Sequence, residues 1–216
     1  MTSIAVIDYG MGNLRSVAKA LEHVAPEASI AVTDDADTIL AAERVLFPGV
    51  GALRDCRAEL QRLQLDRVIR QVAAAGTPLL GICLGMQALL DWSEENGGTE
   101  GLGIIPGKVW HFQAGQPDPQ GGARLKVPHM GWNQVHQAGE HPLWRDIPQD
   151  SRFYFVHSYY ARPAREADIA GTCHYGVDFT AAIARDNVFA VQFHPEKSQA
   201  CGLTLLRNFA RWDGKL

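Results

Sequence analysis

The chain has 216 residues, 46% of them hydrophobic and 20% charged, and its 20 Lys and Arg against 24 Asp and Glu give a formal charge of -4. That length supplies one large domain with a sizeable core, and the mild acidity argues against a nucleic-acid groove or an anionic membrane surface as the main partner. The start has no basic segment and meets Asp8 early, while the longest nearly uncharged stretch, 76–90, holds three glycines and a proline and is shorter than the roughly 18 apolar residues of a membrane span, so neither export nor insertion is expected.

In chain order, residues 4–7 predict a strand, and Leu14, Val17, Ala18, Leu21 and Val24 fall on one face of a helix. This strand-then-helix unit repeats as 29–32 with a helix near 36–42, as 44–47 with helical material over 52–75, and as 78–82 with a helix from Leu84. Short apolar strands separated by helices predict a parallel sheet covered on both faces. From Gly101 the texture changes to strands divided by turn residues, over 107–112, 124–127, 133–137, 152–159, 169–175, 179–185 and 188–193, which fits hairpins better. The Gly-, Pro- and Gln-rich segment 113–122 reads as a surface loop. Ser198 opens a last helix whose Cys201, Leu205, Phe209 and Trp212 are spaced to pack back on the sheet. The expected fold is α/β, an open and mostly parallel central sheet flanked by helices with an additional β-rich hairpin section in the C-terminal half, in a single domain over 1–216.

Four cysteines, Cys56, Cys83, Cys173 and Cys201, are widely separated and form no CxxC pair. They point to a reduced, cytoplasmic protein. Eight histidines fall in no compact ligand pattern, so no structural metal is expected.

Cys83 stands between Gly81 and Gly85 in G-x-C-x-G, the thiol counterpart of a nucleophile elbow, where a predicted strand turns into a predicted helix. Glycines relieve crowding in a tight, strained turn. Unpaired N–H groups and the dipole of the following helix would stabilise a thiolate, and the Leu84 N–H would face a developing oxyanion. Taken alone, the motif leaves a buried structural cysteine equally open. A base is supplied by His194 and Glu196 at the end of another apolar strand. Spaced two apart in extended chain, both side chains point the same way, so the carboxylate could hold one imidazole nitrogen while the other faces the thiol. Strand carboxyl ends of an open α/β sheet share one crevice, which would bring the pair to Cys83. A Gly-rich turn, Phe47-Pro48-Gly49-Val50-Gly51, follows a third strand. It lacks the Lys and Ser/Thr of a P-loop, and Val50 and Gly51 could supply a second oxyanion donor; a plain structural turn is the alternative.

With these elements on one crevice the chain resembles the class I, triad-type glutamine amidotransferases. The resemblance implies that Cys83 attacks the side-chain amide of glutamine, that His194 is general base and then acid, and that Glu196 orients His194. It further implies that Gln87 contacts substrate glutamine, that Gly49, Val50 and Gly51 form the oxyanion strand, and that no cofactor or metal is needed. Within the family, residues 7–14 (IDYGMGNL), 128–133 (PHMGWN) and 154–160 (YFVHSYY) look like the branch serving imidazole glycerol phosphate synthase in histidine biosynthesis, over essentially the whole chain. Phe47 stands where Leu is usual. That branch implies a (β/α)8-barrel cyclase subunit as partner, receiving ammonia and forming imidazole glycerol phosphate and an aminoimidazole carboxamide ribotide. Asn13, Trp132, Tyr154 and Lys197 match positions near its subunit interface, although without the resemblance the aromatic pair reads as core packing and Lys197 as a solvated charge. The rivals are an amidotransferase subunit for anthranilate or aminodeoxychorismate synthesis and a catalytically inactive regulatory module. The turn at 48–51 is expected to be completed only when partner and ligand bind.

Overall fold

The computed structural model describes residues 2–115 and 124–215. In the N-terminal half each short apolar strand leads into an amphipathic helix. Strand β1 (Ser3–Ile7) precedes α1 (Leu14–Val24), which turns Val17, Ala18, Leu21 and Val24 inward. Strand β2 (Ser29–Thr33) precedes α2 (Ala36–Ala41), opened by Asp35, whose carboxylate accepts the Thr38 N–H at 2.8 Å. Strand β3 (Arg44–Gly49) is followed by α3 (Leu53–Arg62) and α4 (Leu65–Ala74), and β4 (Leu79–Cys83) by α5 (Leu84–Ala88). The helical material over 52–75 is broken in two because Gln64 takes φ 58°, outside the right-handed region that an α-helix requires.

The C-terminal half contributes β5 (Trp92–Ser93), β6 (Thr99–Glu100), β7 (Gly107–His111), β8 (His129–Gln134), β9 (His136–Gln137), β10 (Arg152–His157), β11 (Tyr159–Pro163), β12 (Ile169–Tyr175), β13 (Val177–Arg185) and β14 (Val188–Val191), then α6 (Gln199–Arg211). Residues 124–127 form no strand, and the strand expected over 133–137 is divided between β8 and β9. Most of the segment expected as a surface loop lies outside the described residues.

The main sheet has 12 strands, ten along the path β2-β1-β3-β4-β14-β13-β11-β7-β5-β6, with β12 paired to β13 and β9 paired to β12. Pairing from β2 to β14 is parallel; beyond β14 it is mainly antiparallel, so the sheet taken whole is mixed and the hairpin section continues it. β8 and β10 form a separate antiparallel pair. Alternation along β1 shows why both faces are covered: Ile4 and Val6 join one core cluster with Leu21, Phe193 and Phe209, whereas Ala5 and Ile7 join another with Phe47, Leu60 and Ile69. Each such large side chain contributes about 1.5–3 kcal/mol by burial. Among the described residues no helix is long and apolar enough to cross a membrane.

The register positions the site. Gly49 of β3 lies opposite Cys83 of β4, and on the other side of β4, Val191 of β14 lies opposite Ile82. Three chain segments therefore leave the sheet side by side at its carboxyl edge.

Candidate active site

Cys83 ends β4 and immediately precedes α5, with φ 54° and ψ -109°. For a non-glycine residue that conformation costs about 1–3 kcal/mol and persists because β4 is held by strands on both sides. The flanking glycines make room for those strands. A Cβ on Gly81 would come 2.9 Å from the Ala190 Cβ of β14, and one on Gly85 would collide with the Phe47 carbonyl of β3. Because α5 has only five residues, its free N–H groups matter more than any helix dipole.

Beyond β14 the chain carries Gln192, Phe193 and His194 inward, all buried. The His194 main chain is clamped at both ends: its N–H donates to the Tyr154 carbonyl at 2.9 Å, and Ser198 Oγ donates to its carbonyl at 2.6 Å while accepting the Tyr154 N–H at 3.0 Å. Pro195 then starts a single 3-10 turn, Pro195–Lys197. Glu196 thus reaches His194 through a tight turn rather than along an extended strand, since the fixed φ of Pro195 suits a turn's first position. His194 Nδ1 lies 2.9 Å from Glu196 Oε1, with side chains 2% and 0% exposed. Asn13 Nδ2 donates to the same oxygen at 3.4 Å, so Asn13 supports the carboxylate from within.

Burial alone would lower the basicity of His194, but hydrogen bonding and charge from Cys83 and Glu196 outweigh it and raise its pKa to about 10. Its Nε2 is buried with no hydrogen-bond partner. Both facts hold if the sulfur lies beside Nε2 outside bonding alignment, the usual state of such a pair without substrate.

Cys83 and His194 open onto a cavity of about 320 Å³ whose walls also include Val50, Gly51, Leu84 and Gln87. Among the described residues no backbone acceptor is paired with the Val50 or Leu84 N–H. These are the two groups expected to hold an oxyanion. Gly49 has no space for a side chain, since a Cβ there would meet the Tyr9 hydroxyl at 2.7 Å and the Gly85 nitrogen at 2.9 Å. Gln87 does line the cavity, yet its amide N–H groups are engaged with the Tyr159 carbonyl at 3.0 Å and Gln192 Oε1 at 2.9 Å. Gln192 in turn donates to Cys83 Sγ at 3.6 Å.

Three supporting residues escape the sequence reading. Gln192 is a lone polar residue in an apolar run, which is its only signal. Ser198 resembles a helix cap, but its hydroxyl makes no cap bond and serves His194. Glu95 lines the cavity while accepting the Leu53 N–H at the start of α3 at 2.7 Å. At the surface, Trp132 packs edge-on against Tyr154 at 6.1 Å and the Lys197 ammonium lies 5.9 Å from the Tyr154 ring. With Trp132 43% and Met130 62% exposed, this is an open aromatic and cationic cluster and not core packing.

A thiol, an imidazole fixed by a carboxylate, and two free N–H groups around one cavity can carry acyl transfer through a thioester. The family model for glutamine amidotransferase class-I matches residues 5–211. The chain is 62% identical over 212 residues to the imidazole glycerol phosphate synthase subunit HisH of Nitrosospira multiformis, covering 98% of this chain and 99% of that one. It is 58% identical over 215 residues to the protein of the same name from Pseudomonas syringae, covering 100% of each. Among solved structures, a glutamine amidotransferase is similar with a TM-score of 0.71 at 16% identity, covering 98% of both chains. Another from Thermotoga maritima gives 0.60 at 15%, covering 90% of this chain and 76% of that one. At such identities the two structures bear on the fold alone.

Proposed function

Because the chain belongs to the class-I glutamine amidotransferase family, we propose that Cys83, His194 and Glu196 hydrolyse glutamine and that the chain is the glutaminase subunit of an imidazole glycerol phosphate synthase. The observation that carries the chemistry is the strained Cys83 opening onto the same cavity as His194, whose other nitrogen is held by a buried carboxylate. His194 Nε2 takes the thiol proton and the sulfur attacks the amide carbon. Charge developing on the amide oxygen falls to the Val50 and Leu84 N–H groups. The imidazolium returns its proton to the departing nitrogen, ammonia leaves, and a glutamyl thioester remains. Water, deprotonated by His194, then releases glutamate and restores the thiol. Four free cysteines suit a reducing, cytoplasmic setting.

Ammonia is largely protonated at neutral pH, and ammonium is a poor nucleophile, so a protected route to a synthase site makes chemical sense. Among the described residues the cavity lining has no Lys or Arg for a phosphate, which supports a second chain as the site of the phosphorylated substrate. We assign that role to a (β/α)8-barrel cyclase subunit that joins ammonia to a ribotide substrate and releases imidazole glycerol phosphate and an aminoimidazole carboxamide ribotide. The cluster of exposed Met130, Trp132 and Lys197 about half-buried Tyr154, whose backbone is part of the His194 clamp, suits docking of that subunit. The test is co-purification with the cyclase followed by cyclisation assays. Cys83→Ala should abolish glutamine-dependent product while leaving ammonia-dependent product intact. Retention of glutamine-dependent synthesis would reject the assignment. The oxyanion turn, if completed by the partner, makes glutamine hydrolysis faster in the ligand-bound complex than in the lone chain; equal rates would remove that part.

A further inference from the structure

The PHMGWN and YFVHSYY segments each bury a histidine that the chemistry above does not use. His129 of β8 and His157 of β10 are paired directly across the small sheet. His157 Nδ1 lies 2.8 Å from the Tyr159 carbonyl, which can only accept, so Nδ1 carries the proton and Nε2 is an acceptor. His129 Nδ1, 2.9 Å from that Nε2, must then be the donor. This leaves His129 Nε2 to accept from Asn133 Nδ2 at 3.3 Å. One tautomer of each ring satisfies all three contacts, and both rings are neutral. Burial keeps them so, lowering His129 to about 4 and His157 to about 3.

The Tyr159 carbonyl takes a second N–H, from Gln87 at 3.0 Å, and this fixes the Gln87 amide, because its oxygen cannot face another acceptor. The other Gln87 N–H meets Gln192 Oε1 at 2.9 Å, which in turn leaves only the Gln192 NH2 group to face Cys83 Sγ at 3.6 Å. From Asn133 to the sulfur, every donor and acceptor role is therefore determined. We propose that Gln192 is a catalytic residue that stabilises the Cys83 thiolate by N–H···S donation, and that Gln87, His157 and His129 are positioning residues that keep its amide turned toward the sulfur. The inference rests on Cys83 being the nucleophile.

The test is the pH profile of Cys83 alkylation by iodoacetamide in the full-length chain, followed by mass spectrometry so that Cys56, Cys173 and Cys201 do not contribute. A hydrogen bond to an anion is worth enough that Gln192→Leu should move the midpoint up by about one pH unit, a roughly tenfold slower reaction at neutral pH. Gln192→Glu has the same size, can still accept from Gln87 and cannot donate when ionised, so it should move the midpoint at least as far without a packing defect. Gln87→Leu and His129→Phe should shift it in the same direction by less, the phenyl ring keeping the stack on Tyr175 and Phe155. A Gln192→Glu profile that coincides with the parent overturns the proposal, as does an unmoved Gln87→Leu. Glutaminase assays of Cys83→Ala in the complex separate the two levels: surviving activity discards the nucleophile assignment itself, whereas loss of activity with unmoved alkylation profiles discards the Gln192 role alone.

Discussion

His194 and Glu196 show how much one residue depends on its immediate surroundings. The imidazole is buried, which disfavours its charge, and only the neighbouring Cys83 and Glu196 make it more basic than a free histidine. Replacing Glu196 by Gln removes the charge while keeping the shape. The His194 pKa should fall, read from its ring proton shifts by NMR, and glutaminase kcat should drop by about 10²–10⁴, the range for a mis-set general base. An unchanged kcat would mean that the carboxylate does not orient the base. The triad was legible because each member sits in a motif whose spacing has a mechanical reason: glycines about a thiol, a proline between His and Glu. Gln192 and Ser198 were not, since a polar residue in a strand and a serine before a helix have ordinary explanations, and only the folded contacts to Cys83 Sγ and the His194 carbonyl assign them. The resemblance places Asn13 near an interface, and the fold adds a contact no motif shows, its amide lying against Glu196.

At the level of elements, the site depends on how closely α6 and α5 approach the segments that carry the triad. A Cβ on Gly202 of α6 would collide with the Pro195 carbonyl, the residue between His194 and Glu196, although Gly202 is itself outside the cavity lining. Gly202→Ala should push the turn from its place, costing about 1–3 kcal/mol in stability by overpacking and lowering kcat more than it raises KM. Gly139, with φ +87° and open space around it, is the matching control: Ala there strains the backbone by about 1–2 kcal/mol but should leave kcat unchanged. If both variants lose activity alike, the close approach of α6 is not what seats the turn. Alternation of short apolar strands with amphipathic helices made the parallel half readable, because each unit is built from local periodicity. Element ends were less so. The break at Gln64, the brevity of α5 and the division between β8 and β9 depend on long-range packing that no local window contains.

Across the whole molecule, the buried histidines set opposing responses to pH. His129, His141 and His157 are neutral in the fold, with pKa values lowered by burial to about 4, 4 and 3. His141 also accepts the Leu143 N–H at Nδ1, a bond that protonation would destroy. For groups lowered in this way the unfolded chain binds more protons, so their stabilising effect is complete above the unfolded value near 6.5 and is lost as pH falls toward 4. His194 has the reverse sign: raised to about 10, it stabilises fully below about 6.5 and progressively less as pH rises toward 10. Buried Cys56 and Cys173, both pushed up to about 12, add to the alkaline loss once an unfolded thiol ionises at about 8.5. Sequence shows eight histidines without distinguishing those whose basicity burial lowers from the one whose basicity its partners raise; only the folded surroundings separate them. Stability should therefore peak near pH 6.5 and fall on both sides, measured as the urea midpoint at pH 5, 6.5 and 9. His129→Phe should flatten the acid limb alone, and Glu196→Gln the alkaline limb alone. A midpoint at pH 5 equal to that at 6.5 would contradict the neutral state of the buried pair, because neutral rings surrounded by their acceptors and donors have no means of tolerating the extra proton.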